Sequence, residues 1–118
     1  MLHVLYRMNS AQHQQMKMNS LEKKIAIMDV LNAKDKVLLA QAAHDAETKT
    51  LKECEDAVSA AFHAKVPMDK FLQLRDSKRI QARVVRESFR TLVAAMNALD
   101  DAESHYDVVC FSSIETTH

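Results

Sequence analysis

"FHAKVPMDKF", residues 62–71, decides the fold, because it holds the only strong punctuation in a chain of 118 residues with no glycine and one proline. Proline is disfavoured inside a helix but suits a first turn, and Asp69 just after it sets negative charge against the positive end of a helix. The stretch therefore predicts a helix starting near residue 67 and a preceding element that ends a few residues earlier.

Working outward toward the N-terminus, nothing from about residue 10 to residue 62 breaks a helix. Ala26, Val30, Ala33, Val37, Ala40, His44, Leu51, Cys54, Val58 and Phe62 fall on one stripe at about 100° per residue. Most of these residues are small, so a partner helix can approach closely. Toward the C-terminus, Phe71, Leu74, Val85, Phe89, Leu92, Met96 and Leu99 form a second seam, interrupted by Lys78 and Gln81. This second helix is expected over about 67–105. Residues 106–118, "YDVVCFSSIETTH", turn to β-branched, aromatic and hydroxyl side chains and predict a non-helical tail, disordered or loosely docked.

The composition agrees with helices alone. Typical chains contain about 7% glycine and 5% proline, and sheets, tight hairpin turns and phosphate loops rely on residues that accept positive φ. Strong helix formers dominate here instead. Two helices joined by a short turn fold back antiparallel. The expectation is one all-α domain over 1–118, a long antiparallel helical hairpin or coiled coil with its turn near 63–66. With that turn, residues facing each other have numbers that sum to about 131. Residues near 9–25 then overhang, with Met16, Met18, Leu21 and Ile25 on adaptable apolar surface.

Between Ile25 and Leu39, Ile27, Leu31 and Leu38 form a further apolar stripe on nearly the opposite side of the first helix. A lone hairpin leaves them in water. They predict self-association, as an antiparallel or four-helix dimer, unless Val108, Val109 and Phe111 of the tail fold back to cover them.

Sixteen basic residues balance sixteen acidic ones, so no global field draws the chain to nucleic acid or an anionic membrane. The charge is nevertheless uneven. "LRDSKRIQARVVRESFR", residues 74–90, carries six basic side chains, and Arg75, Arg79, Arg83, Arg86 and Arg90 gather within about 80° of one another on the helix, flanking its apolar seam. Three readings remain open. The arginines could pair with Asp45, Glu53, Glu55 and Asp56 across the hairpin, bind an acidic or phosphate-bearing protein, or bind nucleic acid, which asks for outward-facing charge with interleaved aromatics. Nucleic acid is the weakest of the three, because Phe71 and Phe89 belong to the seam.

Catalytic motifs are absent. Without glycine there is no dinucleotide fingerprint, P-loop or nucleophile elbow. His44 and Glu47 stand three apart on one seam, but a carboxylate-bridged di-metal bundle needs several such pairs converging. Hence no catalytic residue, cofactor or metal is assigned. Cys54 and Cys110 lie far apart with no paired motif, which fits reduced thiols. No stretch reaches the roughly 18 apolar residues of a membrane span, and the first ten residues are too short an apolar run for a signal peptide. A cytoplasmic location is expected.

The segment "AAFHAKVPMDKFLQLRDSKRIQARV", residues 60–84, has an aromatic before a short turn, a Val-Pro entry and a hydrophobe-x-x-Leu-Arg start to a long helix. In this it resembles the YscO/FliJ class of type III secretion and flagellar export proteins over about residues 50–100. Members are cytoplasmic antiparallel helical hairpins, similar to the stalk of rotary ATPases, that associate with the hexameric export ATPase and with export chaperones. The resemblance implies a non-enzymatic stalk or adaptor, and carries to Val66, Pro67, Phe71, Leu74 and Arg75. A generic dimeric scaffold, a secretion chaperone and a nucleic-acid-associated bundle are the alternatives.

Overall fold

The computed structural model describes residues 10–116, with side chains over 20–111. It contains two helices, α1 over Ser10–His63 and α2 over Met68–Thr116, forming an antiparallel hairpin with no strand among the described residues.

The turn is built without glycine. Lys65 takes a left-handed φ of 55°. Around it, the Val66 amide donates to the Ala61 carbonyl and the Lys65 amide to the Phe62 carbonyl, both at 3.3 Å. These two bonds are the paired closure of a Schellman cap, which satisfies carbonyls that the last turn of α1 would otherwise leave open. Pro67 sits just outside α2 rather than in its first turn, and its carbonyl accepts the first helical bond, from the Phe71 amide at 3.1 Å. Proline has no amide to lose there, and Asp69 stands in the first turn where the helix end is positive.

The chain divides into two compact units. In the one spanning Asp35–Asn97, His44 faces Ser88, Glu47 faces Gln81 and Phe62 faces Phe71, pairs whose numbers sum to between 128 and 133. The buried and half-buried residues of α1 in this unit include Val37, Ala40, His44, Glu47, Leu51, Cys54, Val58 and Ala61; on α2 they include Phe71, Leu74, Lys78, Gln81, Val85, Ser88, Leu92 and Ala95. Each series steps strictly by three and four, a period of 3.5 residues. Such a repeat stays on the partner only if the helices wind left-handedly about each other.

This register corrects the seam expected from a straight helix. Ser88 and Ala95 occupy it, while Phe89 (52% exposed) and Met96 stand beside it; at the turn Ala61 is buried and Phe62 is 68% exposed. Over several turns a 3.6-residue spacing drifts from the true seam toward the nearest large apolar side chain.

The other unit, in its described part, comprises residues 10–34 and 98–116. Ala26 (1% exposed), Ala33 and Val109 are buried in it, and Lys23, Val30, Leu99, Ala102 and Tyr106 are half-buried, again at steps of three and four. The non-helical tail expected over 106–118 is corrected: α2 continues to Thr116. No Gly or Pro interrupts it, and burial of Val109 outweighs the weak strand preference of Val108 and Val109. The expected overhang shrinks accordingly, because α2 continues where the sequence placed a loose end.

Candidate interaction surfaces

Few side chains are removed from water. Among the described residues the buried apolar ones are Ala26, Ala33, Ala61, Leu92 and Val109, and no large side chain is fully enclosed. A two-helix hairpin has one seam and no second layer, so what the helices present outward defines the candidate sites.

The middle of the seam is polar. Gln81 Nε2 donates to Glu47 Oε2 at 2.7 Å and to the Glu47 carbonyl at 3.0 Å. His44 Nδ1 lies 2.9 Å from Ser88 Oγ, whose hydroxyl donates to the Val85 carbonyl at 2.8 Å. Which of the two groups donates follows from the imidazole tautomer: Nδ1–H donates to Ser88 Oγ in one, and in the other the Ser88 hydroxyl donates to a bare Nδ1 instead of to Val85. The His44 ring also lies against Phe89, with centroids 5.6 Å apart. His44 is thus a satisfied seam histidine. Of the four residues in this layer, His44 and Glu47 were placed on one seam by sequence; Gln81 read as an interruption of the α2 seam, and Ser88 drew no notice.

The arginine stripe does not join this layer. Arg75, Arg79, Arg83, Arg86 and Arg90 are all exposed. With the seam at Lys78, Gln81, Val85 and Ser88, residues 79, 83, 86 and 90 fall on the outer face of α2, nearly opposite α1 rather than flanking it. Asp45, Glu53 and Asp56 fall likewise on the outer face of α1, and Asp45 accepts from Gln41 at 2.9 Å. The hairpin therefore separates Asp45, Glu53 and Asp56 from the arginines at 79, 83, 86 and 90, whereas Glu55 and Arg75 each stand one residue past the seam. Val66, Phe71 and Leu74 are half-buried at the turn and the start of α2, where they brace it, and Arg75 projects into solvent.

On α1, Leu21, Ile27, Leu31 and Leu38 remain exposed, as do Ile25, Met28 and Leu39. The tail does not cover them. Val109 turns into the hairpin seam, whereas Val108 and Phe111 are themselves exposed. Met16 and Met18 lie within α1 but outside the residues whose side chains are described.

Near the end of α2, Tyr106 and Cys110 are half-buried one turn apart. A side-chain hydrogen bond with Cys110, and after it charge repulsion from that thiol, raises the Tyr106 phenol above its ordinary value. Cys54 and Cys110 are both free thiols. Among the described residues no three His, Cys, Asp or Glu side chains are grouped to hold a metal ion, and no helix is long and apolar enough to cross a membrane. No family model matches the chain, and neither a curated protein nor a solved structure matches it.

Proposed function

We propose that the chain is a cytoplasmic helical-hairpin interaction protein that works by binding and not by catalysis, with the outer face of α2 as its contact for an acidic protein surface. One observation carries this reading: Arg79, Arg83, Arg86 and Arg90 stand exposed on the face turned away from α1, while the polar links across the hairpin are made by Glu47 with Gln81 and His44 with Ser88. Guanidinium groups held in a row suit bidentate contacts to carboxylates. The resemblance of residues 60–84 to the YscO/FliJ class makes the export ATPase the leading partner and an export chaperone the second. A stalk or adaptor role follows from that resemblance, and the open apolar face of α1 supports self-association alongside it.

Replacing Arg79, Arg83 and Arg86 together with Gln tests the reading. The positions are exposed, so the circular dichroism spectrum and thermal midpoint are expected to stay close to wild type. Binding to purified export ATPase is expected to fall and, in the wild type, to weaken steeply with salt. Equal binding by both forms would overturn the assignment. Recovery of nucleic acid by the wild type alone would replace the acidic protein with a nucleic-acid partner.

A further inference from the structure

The exposed apolar residues of α1 are ordered as a second seam. Leu21, Lys24, Met28, Leu31, Asp35 and Leu38 alternate in steps of three and four, on a face roughly opposite the one that packs on α2, and all six are exposed. Ile25 and Leu39 flank this row on one side and Ile27 on the other. Between residues 20 and 40, every large apolar side chain left exposed thus belongs to this row or its flanks. Scattered surface hydrophobics need no explanation, but a heptad-spaced row does.

The row is complementary to itself in one orientation. Turned antiparallel about a point between Asp29 and Val30, Leu21 meets the partner's Leu38, Met28 meets the partner's Leu31, and Lys24 meets the partner's Asp35. By two-fold symmetry each pairing occurs twice. In a parallel arrangement Lys24 would face the partner's Lys24 and Asp35 the partner's Asp35. The only two charges in the row therefore select the antiparallel pairing, as charges beside a coiled-coil seam select partner and orientation.

We infer that this face of α1 binds a second copy of the chain, antiparallel, with Lys24 and Asp35 as its orienting pair. The inference deepens the self-association reading above and does not depend on the arginine face. Arg79, Arg83, Arg86 and Arg90 lie on α2 and take no part in the pairing.

Sedimentation equilibrium of the full chain tests it, comparing wild type, Lys24→Glu, Asp35→Lys and the doubly reversed K24E/D35K. Both positions are exposed, so the hairpin persists, and circular dichroism checks this. The wild type is expected to dimerise at micromolar concentrations. Each single reversal should weaken the dimer about tenfold or more, since the altered pair enters the interface twice, and the double reversal should restore it. A monomeric wild type would refute self-association itself. A dimer insensitive to the single reversals, or one not restored by the double reversal, would refute the antiparallel pairing while leaving self-association standing.

Discussion

Lys65 holds the left-handed conformation that makes the turn, at φ 55°. An L-residue with a Cβ pays about 1–2 kcal/mol for that region, and glycine pays almost none. Glycine also has more freedom to lose on folding, which returns part of the gain. Lys65→Gly is therefore expected to stabilise the protein by about 0.5 to 1 kcal/mol, seen as a higher urea midpoint with an unchanged slope. A lower midpoint would show that the lysine side chain contributes something the cap does not explain. The turn was legible from Pro67 and Asp69. Its left-handed residue was not, because glycine, the usual marker of that conformation, is missing from the whole chain.

At the level of single elements, each helix owes its place to a seam that is apolar at its ends and polar in its middle. Glu47 with Gln81 and His44 with Ser88 make poor core material, but each is hydrogen-bonded. Polar seam positions of this kind fix register at a cost in stability. Removing one member of a pair differs from removing both. Gln81→Leu leaves the half-buried Glu47 carboxylate without its donor and is expected to cost about 1 to 3 kcal/mol. Glu47→Leu with Gln81→Leu is expected to recover that loss or exceed wild-type stability. Chemical denaturation of the singles and the double as a cycle measures the coupling, and additive effects would show that the contact contributes nothing. The Ser88 part of this layer was hidden from sequence by a preference for large apolar residues, and the helical course of α2 to Thr116 by a preference for strand in β-branched ones. Phe89 and Met96 drew the seam one position too far from Ser88 and Ala95, and the β-branched run at Val108 and Val109 read as the end of a helix. The all-α hairpin itself was plain, because Pro67 alone divides two otherwise unbroken helical patterns.

For the molecule as a whole, the antiparallel path through the turn also sets an order of events in time. Within Asp35–Asn97 the contacts span very different lengths of chain: Phe62 and Phe71 close a short loop, whereas His44 and Ser88 are 44 residues apart. Closing the longer loop directly costs about 1.4 kcal/mol more in chain entropy. Zipping outward from the turn avoids that cost, because each new pair extends helices already side by side. Two exposed alanines on α1 test this, Ala60 beside the turn and Ala43 far from it. Glycine at either site should destabilise by about 1 kcal/mol through helix propensity alone. In stopped-flow refolding, Ala60→Gly is expected to slow folding and Ala43→Gly chiefly to speed unfolding. The reverse pattern would place nucleation at the opposite end. On this order the cap around Lys65 is the point from which the hairpin is expected to close, and any change that slows the turn is expected to slow the folding of the rest.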